Sequence, residues 1–325
     1  MGDWRRARKE LTVISRATDT GSCPMNDLAD GSRTRSILVV GEVLWDIFAD
    51  STTLGGAPLN FAAHAKRLGY DALLISALGA DSLGDAARRE IAALGLDVSL
   101  LQTTGRYPTG SARVELGPED RTHFVIERPA AYDAVHLGED EMAHIVQSAP
   151  ECFYYGTLFA SRPEGKLALD CLFDVLPDAT CFYDVNLRPG HYSAQLVSEL
   201  LERADVVKLN EEELGVVSHF TGLPCDIEAF CRQGSKRYGW KAVCITLGSR
   251  GCGMLCGDEY LAAGGHAVTT ADPVGAGDAF AAAFLHGLLS KWPVRKIAEF
   301  ANRVGALVAS RRGAIPLWSL LEAVG

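Results

Sequence analysis

From Ser36 onward, short apolar runs alternate with segments of helical spacing. Ser36-Ile-Leu-Val-Val-Gly41 opens the series as a continuous apolar run, the pattern of a strand covered on both faces. Pro58 then falls where a helix tolerates proline, in its first turn, and Gly69 stands at the expected stop. Asp71 to Ala77 reads as the next strand, and Asp81 begins a helix that ends before Gly95. The runs 152–155, 180–184, 206–209 and 242–247 repeat the theme, each followed by a helical segment or a glycine turn. Strands and helices alternating at this spacing predict an α/β fold built on a mostly parallel sheet with helices on both faces.

One region breaks the alternation. Pro108–Leu116 and Arg121–Glu127 alternate polar with apolar residues about Gly117-Pro118-Glu-Asp, which predicts a β-hairpin with one wet face. Inserted in an α/β domain, such a hairpin is placed to act as a lid over the carboxyl ends of the parallel strands.

Composition narrows the function classes. The chain has 31 Lys+Arg against 41 Asp+Glu, a formal charge of −10, so the basic footprint of nucleic-acid or anionic-membrane binding is absent, and neither partner is expected. No apolar run approaches the roughly 18 residues of a membrane span. The nine cysteines form no CxxC pair and mostly lie in apolar stretches, which reads as buried reduced thiols in a cytoplasmic protein. Residues 1–35 differ from the rest: without a secretory apolar core and bearing a net positive charge, they read as a disordered extension or a start placed too early.

Candidate chemistry lies at both ends of the remaining chain. Near the C-terminus, Asp272-Pro-Val-Gly275-Ala276-Gly277-Asp278 runs directly into an apolar helix, so unpaired N–H groups at the helix start face a small-residue loop able to hold an anion. A carboxylate at Asp278 would serve equally as a helix cap or as the acceptor of a hydroxyl proton. Near the other end stand Asp46, a carboxylate suited to paired hydroxyls, and Gly55-Gly56-Ala57-Pro58-Leu59-Asn60, in which glycines admit a ligand close to the backbone. No GxxxxGK[ST] loop is present, and the Gly275–Phe280 stretch fails as a dinucleotide fingerprint.

Together these segments resemble the two signatures of the PfkB, or ribokinase-like, carbohydrate kinases, and the resemblance spans about residues 36–318. It implies a ribokinase-like three-layer α/β/α domain over residues 36–325, Rossmann-like, with a β lid from roughly 46–56 and 98–130 that often mediates a homodimer. It also implies phosphoryl transfer from ATP, with Mg2+, to a sugar hydroxyl. By resemblance Asp278 is the general base, and the backbone of Gly275, Ala276 and Gly277 is the anion hole. Asp46, Gly55, Gly56 and Asn60 become sugar contacts. Asn210-Glu-Glu-Glu213 resembles the NxxE element, with Glu213 acting on the metal through water, although an acidic first helical turn would look the same. Thr246, Gly248 and Gly251 resemble the nucleotide turn, Asn302 is a further nucleotide-side candidate, and Asp184-Val-Asn186-Leu-Arg188 resembles the DxNxR element, whose arginine meets phosphate charge.

Departures from the family pattern bear on the substrate. Ala57-Pro58 replaces the lysine that commonly follows the glycine pair in ribokinases and 1-phosphofructokinases, and the whole set looks most like the fructokinase branch. A 2-keto-3-deoxygluconate kinase would need a cation for the substrate carboxylate, for which Arg106, Arg113 and Arg128 stand near the lid. A ribokinase or nucleoside kinase, and a non-catalytic sugar-binding regulatory protein, are the remaining alternatives. Pro273-Val274, where threonines are frequent, bears on any K+ site beside the loop.

Overall fold

The computed structural model describes residues 35–116 and 122–324. Residues 117–121, where the turn of the hairpin was expected, and, apart from Arg35, the N-terminal segment lie outside the described residues. In chain order the strands are β1 (Ser36–Val40), β2 (Leu44–Ile47), β3 (Thr52–Gly55), β4 (Asp71–Gly79), β5 (Leu101–Thr104), β6 (Gly110–Leu116) and β7 (Thr122–Glu127). They continue with β8 (Cys152–Gly156), β9 (Thr180–Asp184), β10 (Val206–Asn210), β11 (Ala242–Thr246), β12 (Cys252–Cys256) and β13 (Glu259–Ala263).

Nine strands form one sheet in the order β13-β12-β11-β10-β9-β8-β1-β4-β5. Pairing is parallel from β11 through β5 and antiparallel only at the β12 and β13 edge. Alternate residues along each strand separate into two apolar cores. Ile37 and Val39, with Tyr154, Phe182 and Val206, face α1 (Ala57–Arg67) and α2 (Ser82–Ala93). Leu38 and Val40, with Tyr155, Tyr183 and Val207, face α3 (Glu139–Ser148), α4 (Thr157–Ala160), α5 (Pro163–Val175), α6 (Ala194–Arg203), α7 (Glu211–Thr221) and α8 (Ile227–Tyr238). The first core is completed by α9 (Ala276–Leu289), α10 (Val294–Ala309) and the short α11 (Leu320–Val324). The expected three layers are therefore present. Burial of an aromatic such as Phe61, stacked at 3.8 Å on Tyr154, contributes roughly 1.5–3 kcal/mol to holding α1 on the sheet.

The second sheet, β3-β2-β6-β7, is the lid. Its hairpin pairs Ser111 with Glu127 through Leu116 with Thr122, close to the expected boundaries. β6 also pairs in parallel with β2, so the lid is a mixed sheet. One expectation is corrected: the lid does not begin near residue 98, because Leu101–Thr104 pairs with Ser76–Gly79 and extends the large sheet. Its first segment also starts earlier than expected, at Leu44. Among the described residues no helix is long and apolar enough to cross a membrane.

Candidate active site

The two ends of the chain meet where α1 and α9 begin. Gly56 caps α1 at φ 112°, a conformation that side chains resist, and a Cβ there would lie 2.5 Å from the Glu42 carbonyl oxygen. This close approach carries α1 directly off the lid strand β3. Asn60, in the helix's first turn, donates from Nδ2 to Asp278 Oδ2 at 2.8 Å, while its Oδ1 is buried with no partner among the described residues. The amide thus joins the two ends of the chain and keeps a free acceptor beside the acid.

Gly275 caps α9 at φ 78°, with Ala276 and Gly277 as the first helical residues and Asp278 following. The Asp278 side chain makes no cap to this helix, so the cap reading of the sequence does not hold. Burial pushes the Asp278 carboxyl up to about 6, against the lowering influence of Lys208 and of the Asn60 hydrogen bond.

Lys208 was not singled out in the sequence. Its cross-strand neighbour in β9 is Asp184, and their side chains meet, with Lys208 Nζ at 3.1 and 3.2 Å from the two carboxylate oxygens. Tyr154 donates its hydroxyl to the same carboxylate at 3.1 Å. A Cβ on Gly277 would lie 3.3 Å from Lys208 Nζ, which sets the ammonium against the α9 loop. Burial disfavours this charge, yet the fields of Asp184, Glu213 and Asp278 hold its pKa above the ordinary lysine value. The signal in the sequence was a lysine inside the apolar strand Val206-Val-Lys-Leu209, since lysine is almost never buried unless paired.

On the lid side, Asp46 is a buried residue of β2, and a Cβ on Gly55 would lie 2.9 Å from its Oδ2, so the glycine makes room for the carboxylate. Burial raises Asp46 to about 6, with Arg188 acting in the opposite direction. Glu42, also overlooked, is buried just past β1 and pushed up to about 7 by burial, again opposed by Arg188. The guanidinium of Arg188 therefore acts on Glu42, Asp46 and Asp278 together. Asn186, at φ 38°, lines a narrow cleft with Glu42, Pro58, Tyr154 and Thr157. A larger cavity of about 310 Å³ opens between the lid and the loop before α9, lined in part by Asp46, Thr53, Asp272 and Arg312.

The NxxE element adopts the capping arrangement that the sequence left open. Asn210 caps α7, accepting from the Glu213 N–H at 2.9 Å, and Glu213 accepts in return from the Asn210 N–H at 2.8 Å. The other Glu213 oxygen accepts from the Leu187 N–H at 2.8 Å and ties the Asn186–Arg188 loop to α7. Both oxygens of Glu213 are thus engaged by backbone. Among the described residues no group of three or more His, Cys, Asp and Glu is arranged to hold a metal ion. Thr246 ends β11 opposite Asn210, and Gly248 and Gly251 bracket the single helical turn that follows. Asn302 reaches the same edge, donating to the Gly264 carbonyl at 3.4 Å beside Cys252 Sγ at 3.5 Å.

Of the lid arginines, only Arg128 is committed to a buried partner. Arg128 is buried in an ion pair with Asp133, with further bonds to the Leu158 carbonyl and Ser161 Oγ. Arg113 pairs with Glu127 on the exposed lid face, and Arg106 lies 3.9 Å from Glu164. Arg128 is therefore withdrawn as a free cation for an acidic sugar, whereas Arg113 and Arg106 remain exposed.

Comparison with known proteins agrees with this arrangement. Residues 30–320 match the model of the pfkB family carbohydrate kinases. The chain is 27% identical to a fructokinase of Escherichia coli over 304 residues, covering 86% of this chain and 94% of that one. It is also 27% identical to fructokinase-1 of Zea mays over 276 residues, covering 81% and 84%. Among solved structures, a fructokinase of Xylella fastidiosa with bound ATP superposes with a TM-score of 0.79 at 22% identity, covering 90% of this chain and 98% of that one. The chain belongs to the pfkB family of carbohydrate kinases, phosphotransferases that take an alcohol group as acceptor.

Proposed function

We propose that the protein is an ATP-dependent kinase of a neutral sugar, with fructose as the first candidate. The observation that carries the reading is Asp278: a half-buried carboxylate, held by Asn60, directly after the amides of Gly275, Ala276 and Gly277. In this reading Asp278 removes the proton from the sugar hydroxyl, which attacks the γ-phosphoryl group of ATP in line. The three amides, Lys208 and Arg188 oppose the negative charge that spreads over the transferring group. Asp46 and the free Oδ1 of Asn60 meet sugar hydroxyls, and Gly55 and Gly56 let the ring approach. Thr246, Gly248, Gly251 and Asn302 form the nucleotide side, next to Asn210 and Asn186.

Magnesium would arrive with ATP, and Glu213 would act on it through water, since both Glu213 oxygens already accept backbone N–H groups. When bound it neutralises phosphate charge. The ATP reported in the Xylella fastidiosa fructokinase supports the nucleotide. The buried Arg128–Asp133 pair removes Arg128 as a cation for the carboxylate of 2-keto-3-deoxygluconate, so an acidic sugar would have to meet Arg312 in the cavity beside Asp46 instead. The described cysteines are free thiols, which supports a reducing, cytoplasmic setting that cell fractionation checks.

An ATP-depletion screen over fructose, 2-keto-3-deoxygluconate, ribose, tagatose and adenosine, with and without K+, tests the substrate. The expected result is turnover of fructose above the rest; no turnover on any of them by folded protein favours a sugar-binding regulatory role. Asp278→Asn is expected to lower kcat by roughly 10²–10⁴-fold while ATP still binds. Near-normal turnover in that variant removes Asp278 from the base role.

A further inference from the structure

His64 lies one turn beyond Asn60 on α1, so the two side chains leave the same face of the helix. It is fully buried, and the reading above gives it no task. Its Nδ1 faces two groups that can only donate: Trp318 Nε1 at 3.1 Å and the Arg67 guanidinium at 3.5 Å. Nδ1 is therefore the acceptor, and the ring proton sits on Nε2, which donates to the Ala314 carbonyl at 3.0 Å. Burial lowers the His64 pKa to about 4, so the ring stays neutral in this single tautomer throughout the working range.

Ala314 is the contact that gives this arrangement a consequence. A Cβ on Gly275 would lie 2.4 Å from the Ala314 carbonyl oxygen and 2.6 Å from its Cα, so Ala314 packs directly on the backbone that caps α9. The neighbouring residue is tied to the same loop, since the Gly313 N–H donates to Asp272 Oδ2 at 3.0 Å. Arg67 adds a bond to the Pro316 carbonyl at 2.7 Å, which fastens the segment to α1 a second time. One face of α1 thus holds Asp278 through Asn60 and the start of the anion loop through His64 and Ala314.

We propose that His64 is a positioning residue for phosphoryl transfer: its Nε2–H, fixed by Trp318, seats Ala314 against Gly275 and so sets the Gly275–Gly277 amides relative to Asp278. The inference rests on the roles assigned above to Asp278 and the loop. It concerns geometry that matters in the transition state, where displacements of about 1 Å cost up to about 100-fold.

The test compares His64→Leu, which lacks both ring functions, with His64→Gln, whose side-chain amide can still donate towards Ala314. Both are assayed well below their melting temperatures, beside Asp278→Asn, and inhibition by ADP with fluoroaluminate, a mimic of the transferring phosphoryl group, is measured for each. The expected result for His64→Leu is a kcat lowered by about 10–100-fold, KM values for sugar and ATP within about threefold, and inhibition weakened in step with kcat. His64→Gln should recover most of the loss. A His64→Leu protein with unchanged kcat overturns the proposal, as does a loss that vanishes on cooling or that His64→Gln leaves in place. Inactive Asp278→Asn beside normal His64→Leu overturns the positioning role alone, whereas active Asp278→Asn removes the reading beneath it. Should His64→Leu not fold, Trp318→Phe carries the test: a kcat loss of about threefold or more at unchanged KM supports the role, and unchanged kcat overturns it.

Discussion

Lys208 is the residue on which the site's charge depends. It shares a face with Asp184 because parallel register places the two side by side, and it lies beside Gly277 because that face looks towards α9. The run Val206–Leu209 was readable as a strand, but a continuous apolar pattern does not reveal which of its residues turns towards a site. Burial and the field of Lys208 act on Asp278 in opposite senses, and the balance leaves its carboxyl at about 6. As the proposed base, Asp278 would act only when ionised, so kcat should fall with pH below about 6 and be level above it. Lys208→Met removes the charge that favours the carboxylate while keeping most of the side-chain volume. The Asp278 pKa then rises, and the acidic limb of kcat moves to higher pH, with the plateau lowered by roughly 10²–10³-fold. A kcat profile from about pH 5 to about pH 9 checks this; a limb that stays in place or moves to lower pH refutes the coupling.

At the scale of elements, the lid shows both the reach and the limit of periodicity. Alternation of polar and apolar positions located β6 and β7 closely, because Ala112 turns inward while Arg113 and Glu127 stay wet. The same alternation could not say which sheet takes Leu101–Thr104, since pairing partners are distant in sequence, and that strand joins β4 instead of the lid. Nor did it distinguish an arginine available to a ligand from one that anchors the hairpin. Arg128, where the hairpin returns to the body, has a side chain 5% exposed against 2% for Asp133. Arg128→Ala leaves that carboxylate buried without its cation, and loss of one partner of such a pair costs about 3–5 kcal/mol. The variant should melt at a clearly lower temperature. Its sugar KM should rise more than its ATP KM, because the lid carries Asp46. Unchanged melting would show that the pair contributes little, and equal changes in the two KM values would detach Arg128 from the lid.

For the whole molecule, strands and helices were legible because each needs only local pattern, whereas sheet order arises from which apolar faces find one another. The site followed a similar division: loops with glycine and acid motifs were visible, while Lys208 and His64, which contact partners distant in sequence, and the buried Glu42 lie singly in apolar surroundings and acquire meaning only after folding. Assembly is the remaining question at this scale. Among the described residues β3 and β7 are the unpaired edges of the lid, and Val125 on β7 is 46% exposed on the face that carries Arg113. Open edges with exposed apolar side chains favour pairing with another sheet, and a second copy of this lid offers the same surface about a two-fold axis. We therefore propose a homodimer through the lid. Two chains of charge −10 repel each other, so the dimer should weaken at low ionic strength and strengthen towards about 0.15 M, where the repulsion is screened over about 8 Å. Sedimentation should report twice the 34.8 kDa chain mass at the higher salt. Val125→Glu, which adds a like charge on each lid, should shift the population to single chains without lowering the melting temperature of the α/β body. A single-chain mass for the unaltered protein at every salt concentration would refute the dimer, and a dimer indifferent to Val125→Glu would place its interface elsewhere.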